Sequence, residues 1–142
     1  MIPDIRRLIP EATQVHEKNR RQNVPLNSIV AHIPLEIRII IVDMIYQSPP
    51  TCYGRVHDTP NILEAFQWRM PISYWQKLCN PTLIFEVQDI IEAGTPIHWA
   101  YFCHGLHELL LQEDWYCNSG LYVRGRIPHL TERLKECLSE SV

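Results

Sequence analysis

Apolar residues recur at helical spacing in several segments of this chain, and the clearest pattern lies beyond its midpoint. Over residues 99–110 they fall at i, i+3, i+4, i+7, i+10 and i+11, which is the spacing of one face of an α-helix. The residues of this pattern are Trp99, Phe102, Cys103, Leu106, Leu109 and Leu110. We therefore expect residues 99–110 to form a helix of the core.

Other helices are predicted on both sides of this segment, with prolines at many of their ends. Pro34 opens a helix that continues to Tyr46, and further helices are expected over residues 61–69, 81–93 and 128–138. In the last of these, the residues expected to face inward are Leu130, Leu134, Cys137 and Leu138. Residues 47–61 are expected to form a polar loop, and residues 121–127 a basic loop.

Together these elements predict an all-α protein, a compact bundle of about five or six short helices. A short strand over residues 83–87 is an alternative to helix there. Because Pro10 interrupts its apolar pattern, the N-terminal extension, residues 1–24, is expected to hold only a marginal helix. Residues 25–79 and 80–142 then form one compact unit, since 142 residues suit a single domain.

The segment over residues 32–46 is unusual because its apolar residues form two stripes on a helical projection. The first stripe contains Ile37, Ile41, Met44 and Ile45, and the second contains Leu35, Ile39, Val42 and Tyr46. A helix that is apolar nearly all round must be covered on both sides. Either it is buried at the centre of the fold, as a helix or a β-branched strand, or a partner protein covers its second stripe.

The same segment resembles the beginning of an F-box, whose pattern starts with Leu-Pro, any residue, Glu, and then Ile or Leu. Here residues 33–37 read Ile-Pro-Leu-Glu-Ile, and Ile41, Val42 and Ile45 occupy the later apolar places. Downstream, Phe66, Pro71, and the Tyr-Trp pair at residues 74–75 are similar to elements of fungal F-box proteins. The Phe-Glu pair at residues 85–86, the helix over residues 98–110 and the segment over residues 120–130 follow in the order of that family.

This resemblance implies a non-enzymatic interaction module of the fungal F-box type. Such a module docks on a Skp-type adaptor, and through it on a cullin-based ubiquitin ligase, to recruit a protein substrate that the sequence does not identify. The residues expected to contact the adaptor are Ile33, Pro34, Ile37, Ile40, Ile41 and Met44. Further contacts with a partner are expected at Trp75, Trp115, Arg124 and Arg126. The long segment 47–61 departs from the family pattern, so a degenerate structural or regulatory domain without ligase docking is the alternative.

Composition and charge narrow the range of partners. The formal net charge of −3 lacks the basic excess that a nucleic-acid partner requires, and no apolar run approaches the ~20 residues of a membrane span. Five cysteines, an odd number without a C-x-x-C pair, favour reduced thiols and an intracellular protein, cytoplasmic or nuclear.

Catalytic chemistry finds little support in the sequence. The one conceivable metal cluster contains His104, His107 and Glu108, with Cys103 beside them, because histidines three residues apart share a helix face. Their spacing does not match a closed site, and the more ordinary reading is a solvated helix face beside a core cysteine. We therefore expect no catalytic residue, no metal and no cofactor, and a small metal-dependent enzyme is the least favoured alternative.

Overall fold

The computed structural model describes residues 2–20, 32–47 and 53–140. Helices account for most of this part of the chain. Their bounds are α1 Pro3–Arg20, α2 Leu35–Gln47, α3 Tyr53–Ala65, α4 Ile72–Leu78, α5 Phe85–Glu92, α6 Trp99–Leu110, α7 Glu113–Asn118 and α8 Leu121–Glu140. The described residues contain no strand, which confirms the all-α class and excludes the alternative strand over residues 83–87.

Helix α6 is the central element of the fold. It contacts α1, α3, α4 and α7. Phe102, Cys103 and Leu106 on its inner face have no exposed surface, so the prediction of a core helix over residues 99–110 is confirmed. At its beginning, Nδ1 of His98 accepts a hydrogen bond from the N–H of Tyr101 at 3.1 Å and caps the helix.

Helix α1 packs directly against α6, which corrects the prediction of a marginal N-terminal helix. Leu8 and Ala12 are buried, and the Ala12 carbonyl accepts the N–H of His98 at 3.0 Å. The two helices pass very close at Gly105, where an added Cβ would lie only 2.8 Å from Cδ2 of Leu8. Pro10 stays within the helix because the burial of this apolar face outweighs the single backbone hydrogen bond that proline removes.

Two segments predicted as loops are helical and extend the helices that were expected beside them. Helices α4 and α7 have no counterpart in the prediction, so the described chain has eight helices where about five or six were expected. Helix α3 occupies most of the predicted polar loop, and Thr59 and Leu63 are buried on it. Helix α8 begins at Leu121 and contains Pro128, which was expected to start it. Tertiary packing holds both segments in a conformation that their prolines alone disfavour.

The C-terminal part of α8 does not pack on the rest of the fold, contrary to expectation. Leu130, Leu134, Cys137 and Leu138 were predicted to face inward, but all four are exposed. Only Leu121 and Arg124 near the start of the helix are covered by the core to any extent. The helix therefore projects from the body.

Among the described helices, none combines the length with the apolar character that crossing a bilayer requires.

Candidate functional site

Helix α2 has an inner face that belongs to the core. Val42 is completely buried, Tyr46 is nearly so, and Ile39 is half-buried. This inner face corresponds to the second apolar stripe of the sequence. It packs mainly on α3, the helix that follows α2 along the chain.

The outer face of α2 is apolar and open to solvent. Ile37, Ile40 and Met44 are 45%, 53% and 65% exposed and lie on one side of the helix, whereas Leu35, 37% exposed at the beginning of the helix, lies on the side of Val42 and Tyr46. We call Ile37, Ile40 and Met44 the α2 outer face. Exposed apolar side chains that adjoin one another on one helix are typical of a surface that binds a partner.

The remaining predicted adaptor contacts fall at the edge of this face. Pro34 is exposed, whereas Ile33 and Ile41 are half-buried and pack against the core. The Ile33 carbonyl accepts a hydrogen bond from Nε of Arg38 at 2.7 Å, which fixes the turn that precedes α2. The structure thus brings four of the six predicted contact residues to the surface and leaves two partly covered.

A polar layer lies under α2, between this helix and α6. The hydroxyl of Tyr46 is hydrogen-bonded to Nδ1 of His104, and the two rings are stacked. The hydroxyl of Thr59, on α3, also hydrogen-bonds to Tyr46. His107 lies against the Tyr46 ring with the centroids 5.0 Å apart, and Trp75 meets the His104 ring edge-on at 5.3 Å. Tyr46 therefore joins three helices through polar contacts.

A second polar contact joins α2 to α4. The hydroxyl of Tyr74 donates a hydrogen bond to Oδ1 of Asp43 at 2.7 Å. Burial raises the pKa of Tyr74, and the neighbouring Asp43 carboxylate raises it further, so the hydroxyl stays protonated as a donor. Asp43 is therefore part of the packing of α2 and is not a freely solvated residue.

The protonation states in the polar layer suit structural contacts better than catalysis. Burial lowers the pKa of His104 to about 4, with a further contribution from the like charges of neighbouring histidines, and burial lowers that of His107 to about 4. Burial and a hydrogen bond with Cys79 raise the pKa of the Cys103 thiol well above its ordinary value. At neutral pH the imidazoles are therefore uncharged and the thiol is a poor nucleophile.

The histidines and cysteines of α6 also do not converge as metal ligands. Within the part of the chain that the structure describes, no group of three or more His, Cys, Asp or Glu side chains could hold a metal ion. Nδ1 of His107 lies 3.7 Å from Sγ of Cys103, while Nδ1 of His104 points to Tyr46. The predicted solvated face is instead a half-buried layer, because α2 and α4 cover it.

The four residues predicted as further partner contacts occupy different environments. Trp75 is 4% exposed in the core, and Trp115 is half-buried with Nε1 donating to Asp4 at 2.7 Å. Arg124 is bound to Glu86 inside the protein, whereas Arg126 is exposed and lies over the ring of Tyr122. These residues do not form one surface with the α2 outer face.

The ion pair of Glu86 and Arg124 is a feature that the sequence patterns did not reveal. Glu86 is only 3% exposed, and its carboxylate accepts hydrogen bonds from Nη1 of Arg124 at 2.9 Å, Nη2 at 3.3 Å and the N–H of Ile2 at 2.9 Å. Burial alone would raise the pKa of Glu86, but these hydrogen bonds outweigh it and lower the pKa to about 2. An acidic residue between the apolar Phe85 and Val87 is the one sequence feature that could have indicated a buried carboxylate.

Comparison of the chain with protein-family models, with curated proteins and with solved structures gives no match.

Proposed function

We propose that this protein is a non-enzymatic interaction module of the F-box type, and that its α2 outer face docks on a Skp-type adaptor of a cullin-based ubiquitin ligase. The proposal joins two independent lines of support. One is the F-box-like sequence of residues 33–45, and the other is the exposure of the residues that the resemblance assigns to the adaptor.

The observation that carries the proposal is the division of α2 into two faces. Val42 is completely buried, whereas Ile40 and Met44 are more than half exposed. A fully buried central helix, the chief alternative, would leave no such face. Covering an exposed apolar side chain completely contributes about 1.5–3 kcal/mol, so three partly exposed residues supply a substantial share of a binding free energy.

Anchoring of α2 from beneath also favours binding. The helix is held by the Tyr46 contacts with His104 and Thr59 and by the hydrogen bond from Tyr74 to Asp43. A surface already held in its bound conformation loses less conformational entropy on association. The α2 outer face is therefore suited to present rigid apolar anchors to a partner.

The test is co-expression of the full chain with a Skp-type adaptor, followed by affinity purification and size-exclusion chromatography. We expect the chain to co-purify with the adaptor and to elute with it as one complex. Ile40→Glu is expected to abolish the complex, because it places a charge at the centre of an apolar interface. Ile40 suits this purpose better than Ile41, which packs partly against the core and whose replacement would disturb folding.

Leu134→Glu on α8 is the matched control, since Leu134 is an exposed apolar residue far along the chain from α2. This variant should bind the adaptor as the wild type does. Circular dichroism must show the same helix content in both variants. A wild-type chain that does not bind the adaptor, whatever its oligomeric state, would overturn the proposal and favour the degenerate structural domain. We also expect a cullin to be recovered with the complex, because the adaptor would connect the chain to the ligase.

A further inference from the structure

Helix α8 carries an apolar stripe that the rest of the protein does not cover. Every side chain described from Arg126 to Ser139 is exposed. The helix has 20 residues, and the part that starts at Arg126 extends for about 22 Å at 1.5 Å per residue. Isolated helices of this length are only marginally stable in water, so α8 needs packing that the single chain does not give it.

The spacing of the stripe is that of a helix-pairing seam. Val123, Ile127, Leu130, Leu134 and Cys137 are separated by alternating steps of four and three residues. This alternation keeps apolar residues on one narrow line that faces a partner helix, as in a coiled coil. We call these five residues the α8 seam. Leu138 flanks its end.

Charge along α8 indicates which helix would fit this seam. Residues 126–140 carry three basic residues and three acidic residues, so a second copy of α8 is not repelled by net charge. The charges are also unevenly distributed. In the first half Arg124 is already bound to Glu86, which leaves Arg126, whereas the second half holds Glu132, Glu136 and Glu140 together with Arg133 and Lys135. An antiparallel copy with Leu130 opposite Leu134 brings Arg126 of each helix within about one turn of Glu136 and Glu140 of the other.

From this pattern we infer that the protein forms a homodimer through an antiparallel pair of α8 helices. In this arrangement Leu130 packs against Leu134 of the second copy, and Ile127 packs near the second copy's Cys137. The exposures of Val123, Ile127, Leu130, Leu134 and Leu138 range from 48% to 69%. At about 100 Å² for a whole side chain, of which a little over half is exposed, five such residues bury roughly 300 Å² per copy. The resulting total of about 600 Å² is smaller than a stable specific interface, so the dimer is a weak and transient one.

Sedimentation velocity of the full chain over a range of concentrations tests the inference. We expect the mass to rise from 16.7 kDa towards twice this value as the concentration increases. Leu134→Glu should weaken self-association at least tenfold and leave the helix content unchanged, because Leu134 is exposed in the single chain. Ser139→Glu adds the same charge outside the seam and should dimerise as the wild type does.

Ile40→Glu separates this inference from the proposed adaptor docking. It changes the α2 outer face and should leave the dimer intact, while Leu134→Glu should leave adaptor binding intact. A chain that stays monomeric at all concentrations overturns the inference, and a partner of another kind would then cover the seam. A dimer that Leu134→Glu does not weaken, or that Ile40→Glu dissociates, overturns it as well.

Disulfide cross-linking tests the orientation of the two helices. In the antiparallel pair Thr131 lies beside the seam and next to its own counterpart, whereas Cys137 is about ten residues from its counterpart along the helices. Thr131→Cys should cross-link on mild oxidation in a background in which Cys52, Cys117 and Cys137 are replaced by Ser. Ser139→Cys in the same background should not. Cross-linking of the wild type through Cys137, without cross-linking of Thr131→Cys, would indicate a parallel pair and overturn the antiparallel assignment.

Discussion

The hydroxyl of Tyr46 is hydrogen-bonded to Nδ1 of His104, 58 residues further along the chain, and their rings stack with an interplanar angle of 7°. Burial lowers the pKa of His104 to about 4, so the imidazole is neutral at pH 7, with one nitrogen as a donor and the other as an acceptor. Burial raises the pKa of Tyr46, so the hydroxyl retains its proton. The contact therefore joins α2 to α6 at neutral pH.

Replacement of His104 tests the contribution of this contact to stability. His104→Ala removes a hydrogen-bond partner of the Tyr46 hydroxyl and leaves a gap beside Trp75, so we expect a loss of about 1–3 kcal/mol in the free energy of unfolding. The sequence alone suggested a nearly silent substitution on a solvated face. His129→Ala, at an exposed histidine of α8, is the control and should change stability by less than about 0.5 kcal/mol. Urea unfolding at neutral pH measures both, and equal effects would contradict a structural role of His104.

Stability should fall as the pH drops from about 7 to about 4. The folded-state pKa of both His104 and His107 is about 4, whereas an ordinary histidine titrates near 6.5. The unfolded chain therefore binds protons first, and the loss reaches up to about 3 kcal/mol for each histidine. Glu86 contributes a separate loss only below about pH 4.5, because its folded pKa is about 2.

Urea unfolding between pH 7.5 and 5 isolates the histidine contribution. The double variant with His104→Gln and His107→Gln should show a smaller pH dependence than the wild type, even though its stability at pH 7.5 is lower. His129→Gln should retain the wild-type dependence. An undiminished dependence in the double variant would assign the effect to other groups.

The buried ion pair of Glu86 and Arg124 should be costly to break from either side. Arg124→Met removes the positive charge that pairs with the buried Glu86 carboxylate, which then keeps only the hydrogen bond from the N–H of Ile2 outside its own helix. We expect a loss of about 3–5 kcal/mol in the free energy of unfolding. Arg126→Met, at an exposed arginine two residues away, is the matched control and should be nearly neutral. The double variant with Glu86→Leu and Arg124→Met should recover part of the loss, since no charge remains buried. Additive effects in this double-mutant cycle would contradict the pairing.

The core position of α6 is tested by Leu106→Asp. Leu106 has no exposed surface, so a carboxylate there is buried without a partner and should unfold a marginally stable domain. Ile72→Asp introduces the same group at the exposed beginning of α4, where the helix N-terminus favours a negative charge, and should be tolerated. Thermal unfolding followed by circular dichroism distinguishes them. Comparable melting temperatures would mean that the assigned inner face of α6 is wrong.

The sequence was informative where apolar periodicity and burial coincide. The segments of α6 and α2 were predicted closely, because an uninterrupted spacing of apolar residues identifies a helix and its buried face. Most of α3, the first turns of α8, and the short helices α4 and α7 were missed. In α3 and α8 the reason is that Pro60, Pro128 and polar residues disfavour helix locally. Contacts with other elements stabilise these segments, and local sequence does not contain those contacts.

The candidate site was predictable only in part for the same reason. Two apolar stripes on residues 32–46 indicated two covered faces, and the structure covers one of them. The polar layer was not predicted, because Tyr46, Thr59 and His104 come from three separate helices and meet only in the folded chain. The exposure of α8 was also missed, since its stripe has the same appearance whether another part of the chain or a second copy covers it.

Pro128 gives α8 a joint close to the point where the helix leaves the body. Its ring nitrogen has no hydrogen to offer the carbonyl of Arg124, the residue whose side chain anchors the helix to Glu86. Arg124 therefore fixes the helix about one turn before Pro128, and the turn between them lacks a backbone hydrogen bond. Bending of the helix is expected to concentrate at this turn. In the inferred dimer a bend at this turn would change the angle between the two bodies while the paired outer part of α8 stays straight.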